Sequence, residues 1–189
     1  AALFSVGLGL GIVVCATLAL GAAGGYYRWP VRLAVAVLAI WEIRRLVSVR
    51  PAEARPPLKP MPWFPLSLAA LAWALNLVPA LAPDLYYDSL LYHLGVPQLY
   101  MNEHRIVRTP SLLYAHLPFA QETLYTLTLL LHGPTLATLL SWACGVGLTA
   151  ATAALGQRLG HPRAGAWAAA LVACTPAVLF NGRIAATEN

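Results

Sequence analysis

Five long apolar runs, separated by polar connections, constrain the fold of this chain more than any other feature. The runs cover about 3–26, 31–49, 63–82, 134–155 and 164–180. A helix of about 20 apolar residues crosses about 30 Å of hydrocarbon, so each run is a candidate membrane span. The predicted fold is therefore all-α, a polytopic transmembrane helix bundle of about five spanning helices.

The composition favours the same class. Of the 189 residues, 59% are hydrophobic and 10% are charged, whereas soluble domains carry about 25% charged residues. In such a chain the net charge of +5 relates to membrane orientation and anionic headgroups, so no nucleic-acid partner is predicted. Cys15, Cys144 and Cys174 lie in apolar runs and are interpreted as packing residues.

A sixth apolar stretch, 117–131, is shorter than a span. About 15 residues of helix reach only about 22 Å, and this stretch contains Gln121 and Glu122. An interfacial or re-entrant helix is favoured over a tilted span. The chain then divides into two N-terminal helices with a basic loop, 1–62, and a helical core, 63–189, whose polar loop covers 83–133.

The proline-rich loop 50–62 indicates the orientation. Together with Arg44 and Arg45 it forms the densest positive cluster of the chain, and cytoplasmic loops carry an excess of Lys and Arg. We therefore place this loop in the cytoplasm and the loop 83–133 on the extracytoplasmic side. The chain begins without Met and stops soon after an apolar run, so we expect it to be a fragment of a longer protein.

The segment 83–100, PDLYYDSLLYHLGVPQLY, gathers two acids, a histidine and four tyrosines between apolar runs. Asp84 and Asp88 are four residues apart, so a helix would place both on one face. The leucines and tyrosines are typical of a short helix lying along the membrane surface. Gly95 and Pro97 are expected to kink or end this helix.

Each polar residue here has a structural interpretation beside a functional one. Asp84 suits the acid favoured at a helix start, whereas Asp88 lies past that position and is the candidate functional acid. Tyr92 continues the face of the two acids. His93 is a candidate proton carrier or metal ligand, with a hydrogen-bonded interfacial histidine as the favoured alternative. No spacing typical of a metal site is present, so no cofactor is predicted with certainty and a divalent metal stays open.

Further candidates follow along the chain. Arg105 and Arg108 suit a phosphate near the membrane surface, because guanidinium pairs bidentately with phosphate; the alternative is contact with lipid headgroups. Glu122, in a semi-buried apolar segment, is either functional or fixes helix packing through a hydrogen bond. The remaining candidates are His116, Arg183 and Glu188. For Arg183 and Glu188 the alternative is a plain role flanking the fifth span.

The order of these segments resembles the N-terminal half of a GT-C membrane glycosyltransferase. The resemblance covers about 63–189 and rests on DSLLYHLGVPQLY (88–100), LPFAQETLY (117–125), HGPTLATLLSWACGVGL (132–148) and LGHPRAGAWAAALVACTPAVL (159–179). The family includes enzymes similar to protein mannosyltransferases and the aminoarabinose transferase of lipid A. It implies transfer of a sugar from polyprenyl phosphate to an extracytoplasmic acceptor, with inversion.

The resemblance also implies roles for individual residues. Asp88 matches the essential acid near the start of the first extracytoplasmic loop, with Asp84 as second choice, and is expected to act as general base. Glu188 matches the place of a second acid, although Asp is more frequent there. Stabilisation of the departing lipid phosphate is expected from Arg105, Arg108 or Arg183.

Localisation and partners follow from the same resemblance. It implies an integral protein of a bacterial inner membrane whose partners are a lipid-linked sugar donor and membrane lipids. A rival hypothesis from another class is a non-catalytic structural subunit, which keeps GT-C-like helices inside a membrane protein complex. The 189 residues are expected to be inactive alone, because a complete enzyme of this type needs more spans to enclose the donor.

Overall fold

A computed structural model describes residues 2–48, 60–110, 112 and 120–185. These residues form helices and connecting loops, and no strand occurs among them. A π-helical turn, Ser89–His93, lies between the third and fourth α-helices. The α-helices are α1 (Ala2–Ala22), α2 (Arg28–Ser48), α3 (Trp63–Leu81), α4 (Gly95–Asn102), α5 (Ala120–Leu131), α6 (Pro134–Arg158), α7 (Pro162–Cys174) and α8 (Pro176–Asn181).

Among the described residues, three helices are long and apolar enough to cross a membrane: Ser5–Ala22 within α1, α3, and α6. Their 18, 19 and 25 residues correspond to about 27 to 38 Å of helix. Large apolar side chains on the outer face of α3, such as Leu75 and Val78, are exposed. Soluble proteins rarely expose continuous apolar surface of this kind. The predicted all-helical fold is thus confirmed for the described residues, and its apolar helices are compatible with an integral membrane protein.

The other two predicted spans differ from these three. α2 is 21 residues long but carries Arg28, Arg32, Glu42, Arg44 and Arg45. The fifth predicted span, 164–180, is not one helix: it breaks at the junction of α7 and α8. Proline lacks the backbone N–H that a continuous helix needs, and Pro176 begins α8. The described residues therefore provide three membrane-crossing candidates rather than five.

The C-terminal end of α3 lies beside the N-terminal end of α6. Thr138 Oγ1 donates a hydrogen bond to the Ala80 carbonyl oxygen at 2.7 Å. Asn76 Nδ2 donates to the Leu179 carbonyl oxygen at 2.9 Å, which brings α8 to the same half of α3. The segment 83–133 therefore leaves and rejoins the bundle at one end. Within it, the 12 residues of α5 correspond to about 18 Å of helix.

Small residues allow close contact between the core helices. On α6 and α7, Gly156 and Gly165 face each other so closely that a Cβ on either would meet the backbone of the other. Nearer the start of α6, the ring of Trp73 from α3 fills the space beside Gly145. The Trp73 Nε1–H donates to Thr149 Oγ1 at 2.9 Å. Small residues commonly line such contacts in membrane helices.

Candidate functional site

The polar segment after α3 is not the single helix predicted from the sequence. Residues 83–86 are not helical, and a helical turn begins at 87 and widens into the π-turn. The Leu94 N–H donates to the Ser89 carbonyl oxygen at 2.7 Å, five residues back. Asp84 therefore does not share a helical face with Asp88 and Tyr92. Single π-turns are frequent at functional sites.

Gly95 marks the change from the π-turn to α4. A Cβ at this position would lie 2.7 Å from the Leu90 carbonyl oxygen, which is shorter than a carbon–oxygen contact allows. The expected interruption thus lies at Leu94, between the π-turn and Gly95, the first residue of α4. Pro97, expected to disrupt the helix, instead lies in the first turn of α4 and is buried. Proline is tolerated there because the N–H of that turn has no intrahelical partner.

Asp84 holds two distant segments together. Its Oδ1 accepts a hydrogen bond from the Tyr86 N–H at 2.9 Å, which is the pattern of an Asx turn. Its Oδ2 accepts from the Ala185 N–H at 2.7 Å. Both carboxylate oxygens are therefore engaged by the backbone. Asp84 thus ties the start of the loop to the residues that follow α8.

Asp88 differs from Asp84 in its surroundings. It lies immediately before the π-turn and is half-buried. Within the described ranges, its carboxylate takes part in no hydrogen bond and no ion pair. Of the two acids of the segment, only Asp84 has both oxygens hydrogen-bonded among the described residues.

An aromatic and a cationic side chain lie near these acids. The ring of Tyr86 packs edge-on against Phe180 of α8, with 5.4 Å between centroids. The guanidinium of Arg183 lies 5.2 Å from the centroid of the same Phe180 ring. Arg183 is two residues before Ala185, which is bonded to Asp84. A positive charge is thus held at the same end of the bundle as the acids.

His93 and Glu122 form a buried pair between the π-turn and α5. His93 Nδ1 lies 2.7 Å from Glu122 Oε1, and the two side chains are 2% and 5% exposed. The ring of Tyr92 stands beside that of His93, with 4.1 Å between centroids. A buried carboxylate is costly unless it is paired. The geometry explains how an apolar segment accommodates Glu122, and it shows His93 hydrogen-bonded, as in the favoured interpretation, with its ring buried in the protein.

Next to Glu122 in the sequence, Gln121 lines a cavity of about 250 Å³ between α5, α6 and α8. The phenol of buried Tyr125 lies 2.7 Å from Ser141 Oγ, and Gln121 Nε2 donates to it at 3.4 Å. Burial raises the pKa of Tyr125 to about 12, so the phenol keeps its proton. The polar residues of the wall are uncharged, namely Gln121, Ser141, Cys144 and Asn181, and they lie beside apolar Leu148 and Val178. Such a wall suits hydroxyl groups rather than an ion.

The predicted arginines separate into two places. Arg105 and Arg108 are exposed, and in the described part of the chain no ion pair links either to an acid. The Ile106 N–H donates to the Gly21 carbonyl oxygen at 3.1 Å, so Arg105 lies beside the turn between α1 and α2. Arg183 lies beside α8 instead. His116 and Glu188 fall outside the described residues.

Sequence reasoning missed two features of this region. One is the contact between His93 and Glu122, which are 29 residues apart; a histidine and an acid in neighbouring apolar segments were the available signal. The other is the proximity of the α1–α2 turn to the end of α4. Within the described ranges, no group of three or more His, Cys, Asp and Glu side chains is placed to hold a metal ion.

Comparisons with known proteins found no relative of this chain. No protein-family model matches the chain, and neither a curated protein nor a solved structure matches it.

Proposed function

We propose that this chain forms part of an integral membrane glycosyltransferase of the GT-C type, with Asp88 as the general base. The enzyme moves a sugar from a polyprenyl-phosphate donor to an extracytoplasmic acceptor. One observation carries the assignment of the base. Both oxygens of Asp84 are bonded to backbone N–H groups, whereas the Asp88 carboxylate has no bonding partner among the described residues.

In the proposed reaction, the acceptor hydroxyl gives its proton to the Asp88 carboxylate. The oxygen then attacks the anomeric carbon from the face opposite the lipid phosphate, and the bond from that carbon to the phosphate oxygen breaks. The polyprenyl phosphate leaves with the electron pair, which inverts the configuration. General base catalysis of this kind contributes typically about 10²- to 10⁴-fold in rate.

Arg183 is the favoured cation for the leaving phosphate. Its guanidinium packs on the Phe180 ring, and the Ala185 N–H, two residues later, donates to Asp84. The position of Arg183 is therefore coupled to that of the segment that contains Asp84 and Asp88. A fixed positive charge near the departing oxygen stabilises the charge that develops there. Arg105 lies by the α1–α2 turn and is a weaker candidate for this role.

Two cavities support a sugar–lipid substrate. The neutral polar cavity beside Gln121 offers amide and hydroxyl groups to sugar hydroxyls. A second cavity of about 400 Å³ lies between the π-turn and the start of α6, with Asp84 in a wall that is otherwise largely apolar, including Leu90, Leu94 and Leu129. One cavity with polar groups and one that is largely apolar together suit an amphiphilic donor.

The proposal includes five membrane passes, formed by α1, α2, α3, α6 and the broken pair α7–α8. It also places the segment 83–133 outside the cytoplasm, in a bacterial inner membrane. The contacts that join Ala80 to Thr138 and Asp84 to Ala185 support this arrangement, because they bring the ends of α3, α6 and α8 to one side. Proline breaks are tolerated in membrane helices whose freed backbone groups find other partners.

The test is sugar transfer in membranes that contain the full-length protein. The probe is a radiolabelled polyprenyl-phosphate sugar, and released polyprenyl phosphate is the readout. We expect activity in the wild type, a loss of about 10²-fold or more in Asp88→Asn, and partial activity in Asp88→Glu. A wild-type rate in Asp88→Asn would eliminate Asp88 as the base. Absence of transfer by folded wild type with several donors would favour the non-catalytic structural subunit.

A further inference from the structure

A cluster of basic side chains lies at the α1–α2 turn, away from Arg183, the favoured cation of the proposed reaction. We call it the basic corner, and it consists of Arg28, Arg32, His104 and Arg105. Residues distant in sequence meet here: the Tyr26 N–H donates to the His104 carbonyl oxygen at 3.0 Å, and the Ile106 N–H donates to the Gly21 carbonyl oxygen at 3.1 Å. The α1–α2 turn is thus fastened to the chain that follows α4.

The corner is held in a defined shape. His104 has a φ of 57°, a left-handed conformation that residues other than glycine seldom adopt. Its Nδ1 lies 3.1 Å from the Tyr26 carbonyl oxygen, and its ring stacks on Tyr27 with 4.3 Å between centroids. Because a carbonyl only accepts, the Nδ1 carries a hydrogen. Strained conformations that surrounding bonds enforce are concentrated at functional sites.

A cavity of about 240 Å³ opens at this corner, lined by Tyr26, Arg28, Met101, Asn102 and His104. Arg28 Nη2 contacts the Met101 sulfur at 3.6 Å, and a thioether is a weak acceptor. Arg32 Nε donates to the Leu130 carbonyl oxygen at 3.2 Å. In the part of the chain that the structure describes, none of the arginines of the corner forms an ion pair, although Glu103 is a neighbour in sequence. Among the described residues, these cations therefore have no acidic partner.

The position of the basic corner relative to the membrane surface can be inferred from the helices and aromatic side chains around it. The apolar membrane candidate Ser5–Ala22 ends just before it. The side chain of Trp29 is 72% exposed and that of Tyr27 is 49% exposed, and Arg32 lies 5.6 Å from the centre of the Trp29 ring. Exposed Trp and Tyr beside Arg, at the end of a membrane helix, are typical of the headgroup level.

We propose that the basic corner binds the phosphate of an anionic phospholipid headgroup. The guanidinium of Arg28 and the amide of Asn102 line the cavity and offer donors to phosphate oxygens, while His104 holds the turn through its bond to Tyr26. Guanidinium groups pair with phosphate in a fork geometry, and basic residues at a membrane surface favour anionic lipids. The bound lipid fastens the α1–α2 pair to the end of α4.

Lipid binding by the purified full-length protein in detergent tests this proposal. Native mass spectrometry is used to compare retention of phosphatidylglycerol, phosphatidylcholine and inorganic phosphate. We expect the wild type to prefer phosphatidylglycerol over phosphatidylcholine. Arg28→Gln is expected to weaken phosphatidylglycerol binding about fivefold, and Arg28→Lys to weaken it less. The matched control is Arg163→Gln, because Arg163 is an exposed arginine at the start of α7; it is expected to leave retention unchanged.

Each other outcome overturns the proposal. Equal retention of the two phospholipids would show that the headgroup charge is not recognised. Equal losses in Arg28→Gln and Arg163→Gln would show general attraction to a basic protein rather than a site. Displacement of phosphatidylglycerol by low concentrations of inorganic phosphate would show a site for free anions. The readout does not depend on sugar transfer, so its failure is distinct from failure of the proposed function.

Discussion

Replacing Glu122 by Ala removes one member of the buried pair between the π-turn and α5. His93 Nδ1 lies 2.7 Å from Glu122 Oε1, and both side chains are at most 5% exposed, so His93 loses its bonded carboxylate where water does not reach. Breaking a buried pair from one side costs about 3–5 kcal/mol. For a chain of this size, each 1 kcal/mol lowers the melting temperature by roughly 2–4 °C. We therefore expect a decrease of roughly 6–20 °C.

The assay is thermal unfolding of the purified protein in detergent, followed by circular dichroism. His93→Leu is expected to destabilise by a similar amount, since it leaves the carboxylate buried. The control is the double variant His93→Leu with Glu122→Met, in which two apolar groups of similar size replace the pair. Such replacements are often neutral, so the double variant is expected to be more stable than either single variant. Additive losses in the double variant would refute the reasoning.

Three further predictions follow from other contacts. Gly156→Val is expected to destabilise by about 1–3 kcal/mol, because its Cβ meets the backbone of the facing helix, whereas Gly147→Ala on α6 meets nothing within 4 Å and serves as the control in the same melts. Asp84→Asn is expected to lower the free energy of unfolding by about 1.5 kcal/mol, since the amide retains one of the two backbone hydrogen bonds. Unchanged stability would show that the hydrogen bonds of Asp84 to Tyr86 and Ala185 do not stabilise the fold. The pKa of Tyr125 is raised from 10.0 to about 12, so its contribution to the free energy of unfolding is complete below pH 10 and is lost as pH rises towards 12. Between pH 10 and 12 the free energy of unfolding of the wild type should therefore fall more steeply than that of Tyr125→Phe, by about 1.4 kcal/mol per pH unit.

The long helices could be predicted from hydrophobicity alone. α3 begins at Trp63 and α6 at Pro134, as expected, because a membrane helix satisfies its own backbone and needs only length and apolar character. The break between Cys174 and Pro176 was not expected. A single proline within an apolar run is compatible with either a kinked or a broken helix, and packing against neighbouring helices decides between them.

The candidate site was less predictable, because its contacts join distant parts of the chain. No local pattern indicates that the Asp84 carboxylate accepts from the Ala185 N–H, or that His93 meets Glu122. The helical spacing of Asp84 and Asp88 suggested one shared face, but the Asx turn at Asp84 competes with helix formation at that point. The two acids consequently lie in different surroundings, which their helical spacing alone does not predict.

We propose that Asp88 takes part in the chemistry, whereas Asp84 stabilises the structure. Sugar transfer from a polyprenyl-phosphate donor by full-length Asp88→Asn and Asp84→Asn, measured per folded molecule in the same membranes, tests this proposal most directly. We expect a loss of about 10²-fold or more for Asp88→Asn with unchanged melting temperature. For Asp84→Asn we expect near wild-type turnover with reduced stability. Full activity in Asp88→Asn, or the reverse assignment of the two losses, would contradict the proposal.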